Sequence, residues 1–491
     1  MELRNSLRTW WRRRDDDARF TGVLFLVCVI VFAGYGLMRV HLLRCNGYDL
    51  GIFDQAVRRY AHFQAPIVTL KGDNFNIFGD HFHPIIALWA PLYWIWDNVA
   101  SLIVGQALVV AATAFPAWRF IRRHGGGRVA KAFLAAVMLG WPVVALISFD
   151  VHEVAFALPL LAWAIDALDR RATVVLFISC VLLLLVREDM GVVVAVIGLV
   201  WLAWPRRRRT VADWAAGIGL LLLGFAAFVF VTVVVIPHFA PDGYQYWAYS
   251  EFGSGASGAF VGALEAPWKV LWLLFWPPAK TLTWLALLIP LALLPLRSPY
   301  ALIALPIMAE RMLATRTNLW GLWYHYNAPV WIILALAAVD GYGRLPERWR
   351  AKLRVRALAL TVVDLAVGVA VVVSLVVVQC LGLPSLAARR AAMAYVPADT
   401  CVVSVNQMAD AFVRTNRVSV PGISQQRADF YVLDWAASPP SVTSLDWTAQ
   451  QAHDYAISQG FAVVFQSGTL EVLQAADYTG PDVTTCGPDA P

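Results

Sequence analysis

Acidic residues and histidines that could perform chemistry gather in one polar stretch of an otherwise apolar chain. The stretch, residues 45–93, reads CNGYDLGIFDQAVRRYAHFQAPIVTLKGDNFNIFGDHFHPIIALWAPLY. Its candidate side chains are Asp49, Asp54, Asp80, His81 and His83. A carboxylate in a desolvated cleft has a raised proton affinity, so Asp49 or Asp54 could accept a proton from a hydroxyl group. Alternatively, Asp54 caps a short surface helix and the histidines are solvated interfacial residues.

A second group of candidate residues lies in the segment SFDVHEVAF. Asp150, His152 and Glu153 occupy a turn between two apolar runs. This trio could hold a divalent cation such as Mg²⁺ or Mn²⁺, could contact a substrate, or could cap a helix that begins at Val151. The chain has no CxxC or HExxH pattern, which argues against a dedicated zinc site.

Basic residues at two further turns suit a phosphate group. Arg187 precedes Glu188 and Asp189 in VREDMG, and Arg311 and His325 lie in ERMLATRTNLWGLWYHYN. A guanidinium group matches phosphate oxygens in a bidentate fork, so these basic residues are candidate phosphate ligands. Three adjacent charges at the end of an apolar run can also simply mark the membrane interface.

The elements that must position these residues are transmembrane helices. Of the 491 residues, 59% are hydrophobic and 15% are charged, whereas soluble domains carry about 25% charged residues. Apolar runs therefore predict a polytopic α-helical membrane protein of about eleven spans. The predicted spans are residues 20–40, 98–120, 129–149, 152–169, 172–188, 190–205, 211–236, 280–297, 299–313, 325–342 and 357–382.

Basic clusters between the apolar runs predict the orientation of the chain. They lie at 122–128, 170–171, 206–209 and 344–356, and alternation from a cytoplasmic N-terminus places all of them in the cytoplasm. The N-terminal apolar run has no cleavage pattern and is expected to be a retained anchor. Loop 41–97 and the other candidate turns then face the outer side of the membrane. Since the basic residues are interspersed with spans, the net charge of +6 does not indicate a nucleic-acid partner.

The composition changes after residue 384. Residues 1–384 are predicted to form the transmembrane domain, and alternating segments in 385–491 predict a small extracytoplasmic α/β domain. Cys401 and Cys486 bracket that domain and are expected to form a disulfide, with Cys45 as an alternative partner. The Gly/Ser-rich aromatic segment 243–262 is long enough to cover a site.

Several of these segments together resemble the bacterial and archaeal membrane family called domain of unknown function 2079. The matching segments are YDLGIFDQ, GDHFHPIIALWAPLY, FDVHEVAFALPL, VREDMG and ERML…WYHYN, in that order. The family is similar in fold to the GT-C glycosyltransferases, which use polyprenyl-phosphate-linked sugars and an acidic base in the first outer loop. The resemblance implies that Asp49, in the YDLG portion, is the base, with Asp54 as the alternative. It also implies that Arg187, Arg311 and His325 hold the donor phosphate.

The sequence therefore predicts a membrane-embedded glycosyltransferase with a GT-C-like fold. It would move a sugar from a polyprenyl-phosphate donor to a cell-envelope polysaccharide or glycoprotein, with inversion at the anomeric carbon. Two other classes compete with this prediction. A non-catalytic envelope-assembly protein would tolerate the loss of Asp49, and a secondary transporter would show broken helices at the membrane midplane and a repeat between its halves.

Overall fold

The structure is a computed structural model that describes residues 2–203, 210–240, 247–381, 383–423, 427–437 and 447–486. The predicted basic cluster at 206–209 and the first part of the predicted covering segment, 243–246, lie outside the described residues.

The described chain is mostly helical. Its helices are α1 Glu2–His41, α2 Ile52–Ala61, α3 Ala90–Ile95, α4 Ala100–Ala112, α5 Ala114–His124, α6 Arg128–Leu139, α7 Trp141–Ser148, α8 Ala157–Arg170, α9 Thr173–Leu184, α10 Met190–Ala203, α11 Val211–Phe230, α12 Ile236–Phe239, α13 Gly255–Glu265, α14 Pro267–Leu273, α15 Pro278–Leu288, α16 Leu305–Leu313, α17 Thr317–Trp320, α18 Asn327–Gly343, α19 Glu347–Leu381, α20 Leu383–Ala394, α21 Asn406–Ala409 and α22 Ala449–Ser458. Its strands are β1 Cys401–Ser404, β2 Arg417–Ser419, β3 Phe430–Asp434, β4 Ala462–Ser467 and β5 Leu470–Gln474.

Helices in all of the predicted spans confirm a polytopic membrane protein, although not every span is a full-length helix. Among the described residues, five helical segments are long and apolar enough to cross a membrane, and the bent pair α14 and α15 would make a sixth. The five are Asp16–His41, Ala100–His124, Arg128–Ser148, Val211–Phe239 and Thr361–Leu381. The predicted span 299–313 differs because its first part, Pro299–Ala304, is 3₁₀-helix. Its α-helical part α16 has only 9 residues, fewer than the roughly 20 that cross a bilayer upright.

Small residues and one central helix hold the bundle together. At Gly198 of α10, a β-carbon would lie 2.6 Å from the backbone nitrogen of Leu221 in α11, so glycine permits direct backbone contact between these helices. Helix α18 lies at the centre, where Trp331 is fully buried and donates a hydrogen bond to the carbonyl of Val137 at 3.0 Å. The N-terminal end of α18 therefore has a fixed position relative to its neighbours.

The bundle has two chemically different ends. The end that carries the candidate residues, here called the site end, contains residues 45–49, 148–153, 185–189 and 324–327. The opposite end, here called the basic end, contains residues 119–131, 166–171 and 338–350. Helix α18, with 17 residues, runs from one end to the other and spans roughly 25 Å. That length is close to the thickness of a bilayer core.

Buried carboxylates at the basic end are paired with arginines. Asp166 is fully buried and accepts hydrogen bonds from Arg123 and, at 2.8 Å, from Arg170. Asp340 accepts from Ser298 and from Arg344, each at 2.7 Å. These ion pairs offset the cost of placing charges among apolar helices.

The C-terminal segment forms the small mixed sheet that the sequence predicts. Its strand order is β2-β1-β3-β5-β4, in which β1 is parallel to β2 and β3 whereas β5 is antiparallel to β3 and β4. A disulfide joins Cys401 and Cys486, whose Cα atoms are 5.3 Å apart. The alternative partner, Cys45, is a buried free thiol.

Candidate functional site at the site end of the bundle

Asp49 lies in a tight turn, Gly47–Gly51, between α1 and α2. Its φ of 81° is uncommon for a residue other than glycine. The backbone N–H of Tyr48 donates to Oδ1 of Asn406 in the C-terminal domain at 2.6 Å. A β-carbon at Gly47 would come within 2.6 Å of that domain, so the turn is tightly enclosed. Strained residues that are held in this way are typical of functional sites.

The environment of Asp49 gives it the proton affinity of a general base. About 30% of its side chain is exposed, so an acceptor can reach it. Desolvation by the surrounding protein and repulsion from the neighbouring Asp150 raise the pKa of Asp49 to about 8, although Lys71 acts in the opposite direction. A carboxyl group that titrates near neutral pH is well matched to proton transfer from a hydroxyl group.

His152 and His325 form an aromatic stack beside Asp49. Nε2 of His152 lies 3.8 Å from Oδ1 of Asp49. The two imidazole rings stack with their centroids 3.6 Å apart. The ring of Phe149 also stacks on His152, with a centroid distance of 5.4 Å. Because His325 lies two residues before the start of α18, this stack connects the turn after α7 to the central helix.

Asp150 supports the turn that carries His152. Its Oδ1 lies 2.5 Å from Nη1 of Arg39, and its Oδ2 accepts from the backbone and side-chain nitrogens of Asn46, both at 3.2 Å. Gln106 bridges the turn by donating to the carbonyl of Asp150 at 2.7 Å and accepting from the backbone N–H of His152 at 2.8 Å. Sequence reasoning missed all three partners, since a single sequence does not report contacts between residues 44 or more positions apart.

Neither Asp54 nor Asp150 caps a helix in the way that the alternative interpretations expect. The N-cap of α2 is Gly51, three residues before Asp54, and no side chain caps it. Asp54 instead lies in the first turn, is 1% exposed, and accepts from Tyr93 and, at 3.3 Å, from Arg58. The helix expected at Val151 begins as a 3₁₀ turn at Glu153, again without a side-chain cap.

Arg187 is held by two carboxylates at the same end of the bundle. It donates from Nε and Nη2 to the two carboxylate oxygens of Asp189, at 2.8 and 2.6 Å, and its Nη1 lies 3.8 Å from Glu153. The two nitrogens that could form a bidentate fork, Nε and Nη2, therefore already donate to Asp189. The phosphate contact of Arg187 stays a prediction, and it would use Nη1.

His81, His83 and Asp80 form a polar layer next to Arg187. Nδ1 of His81 lies 2.6 Å from Oε1 of Glu188. Burial favours neutral His81, but Glu188 and Asp80 together raise its pKa to about 9, so it is a cation at neutral pH. Burial also opposes ionised Asp80, but the ion pair with Lys71 holds the pKa of that carboxyl group below its usual value. Burial and the charge of His81 lower the pKa of His83 to about 4, so His83 is neutral.

Arg311 is committed to protein acceptors. It is 1% exposed and donates to the carbonyls of Leu319 and Tyr326 at 2.7 and 3.1 Å, and to Oδ1 of Asn327 at 2.8 Å. These contacts fix the segment that carries His325. The predicted phosphate contact of Arg311 would require it to give up one of these acceptors, so the geometry favours a positioning role.

The predicted covering segment contacts the site end through its described part. The backbone N–H of Thr315 donates to the carbonyl of Ala248 at 2.7 Å. Burial and the carboxylates of Glu310 and Asp189 raise the pKa of the neighbouring Tyr249 phenol. The segment therefore places an aromatic side chain beside the carboxylates that surround Arg187.

A divalent cation does not fit the residues that were expected to hold one. Asp150 and Glu153 face the guanidinium groups of Arg39 and Arg187, and the ring of His152 is stacked against His325. Within the described ranges, no group of three or more His, Cys, Asp or Glu side chains has the geometry of a metal site.

The helical bundle and the appended mixed sheet define a membrane protein with an ArnT-like fold. The crystal structure of ArnT from Cupriavidus metallidurans bound to undecaprenyl phosphate has a TM-score of 0.50 to this chain at 16% identity, over 94% of this chain and 99% of that one. The apo structure has a TM-score of 0.54 at 14% identity, with coverage of 95% and 99%. At these identities the likeness shows the fold alone.

The family follows from the sequence match. The chain belongs to the family described as predicted membrane protein (DUF2079), which matches it over residues 39–457. No protein of curated function matches the chain.

Proposed function

We propose that this protein is an inverting glycosyltransferase that takes a sugar from a polyprenyl-phosphate donor. The observation that carries the proposal is Asp49, an accessible carboxyl group with a raised pKa in a strained turn at one end of an ArnT-like bundle. One ArnT structure is bound to undecaprenyl phosphate, and this lipid phosphate is the leaving group of the proposed reaction.

In the proposed reaction, Asp49 accepts the proton of an acceptor hydroxyl group. The hydroxyl oxygen attacks the anomeric carbon of the sugar, and the bond from that carbon to the phosphate oxygen breaks. The electron pair of the broken bond stays with the polyprenyl phosphate, and Asp49 releases its proton to water after the product leaves. A single displacement inverts the configuration of the anomeric carbon.

Positive charge beside the turn would stabilise the leaving phosphate. Arg187 is the proposed direct ligand through Nη1, since its Nε and Nη2 donate to Asp189. The cations of His81 and Lys71 add to the local positive potential. His325 would orient His152 and the sugar through its ring face, and Arg311 would hold His325 in place. Fixed charges of this kind contribute most in a site from which water is excluded.

The proposed orientation places this chemistry outside the cytoplasm. The arginines of the basic end follow the positive-inside pattern, and the Cys401–Cys486 disulfide suits an oxidising compartment. The acceptor would then be a hydroxyl group of a cell-envelope polysaccharide or glycoprotein, and both donor and product lipids would remain in the membrane.

The test is turnover of labelled polyprenyl-phosphate sugars by the purified full-length protein and by two variants. Asp49→Ala should lose activity by roughly 100-fold or more, the usual contribution of a general base. The matched control is Asp54→Ala, which removes a buried and paired carboxyl group. The folded fraction of this variant should keep the turnover rate of wild type. Equal specific activity of all three proteins would exclude Asp49 as the base. Absence of turnover with every lipid donor would favour a non-catalytic envelope-assembly role.

A further inference from the structure

A cavity lies at the basic end of the bundle, far from Asp49. Its volume is about 390 Å³, within the range of about 300–1,000 Å³ that is typical of ligand sites. The ends of α5 and α18, the start of α6 and the segment 290–294 surround it, and α19 closes one side. Since α18 separates the cavity from the site end by roughly 25 Å, this cavity is not part of the candidate active site.

The walls of the cavity suit a hydrocarbon chain. Its lining includes Phe133, Leu291, Leu294 and Val339, which come from three different parts of the chain. These side chains leave an apolar space between neighbouring helices of the bundle. An acyl chain placed there would exchange one apolar surrounding for another, so its gain would come from van der Waals contact with these walls.

The rim of the cavity carries an arginine that is available for an anion. The hydroxyl group of Tyr342 donates to the carbonyl of Arg350 at 3.1 Å, which holds the start of α19 beside the cavity. Arg123 and Arg344 at this end are paired with aspartates. Glu347 also lines the cavity, but across the part of the chain that the structure describes the exposed Arg350 has no carboxylate, Glu347 included, within ion-pair distance.

We propose that this cavity binds an anionic phospholipid, with one acyl chain between the helices and the headgroup phosphate at Arg350. Basic pockets between membrane helices are a common type of site for acidic lipid headgroups. An apolar ligand without charge would leave Arg350 unused, and a soluble anion would leave the apolar walls empty. Only an amphiphile uses both features. The proposal does not depend on the glycosyltransferase reaction, because it concerns the opposite end of the bundle.

The experiment is native mass spectrometry of the full-length protein, with added dioleoyl phosphatidylglycerol or dioleoyl phosphatidylcholine. Wild type should retain one phosphatidylglycerol in preference to phosphatidylcholine. Arg350→Gln should weaken that retention about fivefold, the usual effect of one basic residue near a lipid surface. Ala338→Phe, which places a ring in the cavity lining, should abolish it for both lipids.

The matched control is Arg348→Gln, a neighbouring exposed arginine that is outside the cavity lining. It should retain phosphatidylglycerol as wild type does. An equal loss in Arg348→Gln and Arg350→Gln would indicate diffuse charge attraction and would overturn the site. Equal retention of the two lipids by wild type would also overturn it. If Ala338→Phe fails to fold, the comparison of the two arginine variants still decides the question, because both positions are on the surface.

Discussion

At the residue scale, the acidic and basic side chains of the candidate site differ in their exposure and in their hydrogen-bond partners. Asp54 and Arg311 are chemically able to act as a base and a phosphate ligand, but both are 1% exposed and have protein partners. Asp49 has the same chemistry as Asp54 and is about 30% exposed. The residue type therefore identifies candidates, and only the three-dimensional partners separate a reactive carboxylate from a structural one.

The pH dependence of turnover should report the charged states of Asp49 and His81. A general base must be deprotonated, so kcat/KM should rise with pH until about 8, where Asp49 titrates. If the His81 cation assists the leaving phosphate, activity should fall again above about 9, where that cation loses its proton. The measurement is a profile of kcat/KM from pH 6 to 10.

Two variants test whether His81 causes the decline of kcat/KM at high pH. His81→Gln should remove the decline at high pH, whereas His83→Gln should keep it, because His83 is already neutral above a pKa of about 4. A profile that is flat between pH 6 and 8 would show that Asp49 does not titrate in the rate-limiting step.

At the element scale, the turn that carries Asp49 is shaped by a domain almost 360 residues further along the chain. Oδ1 of Asn406 accepts a hydrogen bond from the backbone N–H of Tyr48. The hydroxyl group of Thr69 donates to the carbonyl of Val418 at 2.6 Å. The sequence predicts the helix positions and the small sheet from apolarity and alternation. It does not predict this contact, because nothing in a local pattern reports which loop a distant domain covers.

Asn406→Ala should therefore impair the proposed chemistry without disrupting the bundle. Removal of the acceptor lets the strained turn relax, and a misplacement of about 1 Å can cost up to about 100-fold in rate. We expect kcat to fall at least about tenfold and KM to change less. Asn416→Ala is the matched control, since Asn416 donates to Pro397 at 2.7 Å within the C-terminal domain. Equal loss in both variants would point to general damage to that domain.

At the scale of the whole molecule, apolarity and charge predict the architecture well, and the site only in part. Each predicted span contains helix, since burial in lipid requires long apolar runs with internal hydrogen bonds. The YDLG motif lies in the turn where Asp49 has a positive φ, and the assignment of Asp49 as the base stays a prediction. The partners Arg39, Asn46 and Gln106 escape prediction, since their residue types are unremarkable and their contacts depend on the packing of distant helices.

The Cys401–Cys486 disulfide should stabilise the C-terminal domain. It closes a loop with a sequence separation of 85, and removal of a native disulfide typically costs 2–5 kcal/mol. The Cys401→Ser/Cys486→Ser double variant should therefore unfold its domain at a lower denaturant concentration, which near-ultraviolet circular dichroism can follow. Dithiothreitol should destabilise wild type and have little effect on the double variant.

The control for the disulfide is Cys380→Ser, which removes an exposed free thiol. It should unfold as wild type does under both conditions. Equal stability of the double variant and wild type in the absence of reductant would show that the disulfide contributes nothing to the folded domain.

The contact between Tyr48 and Asn406 also has a consequence for biosynthesis. A ribosome makes the Asp49 turn early and makes Asn406 only after the transmembrane helices, and domains generally fold in that order. The nascent bundle can thus insert into the membrane while its acidic turn still lacks the support of the C-terminal domain. The turn gains this support only after the C-terminal domain has been synthesised and has folded against it. A ribosome that stalls before Asn406 would leave an inserted bundle with an unfinished site.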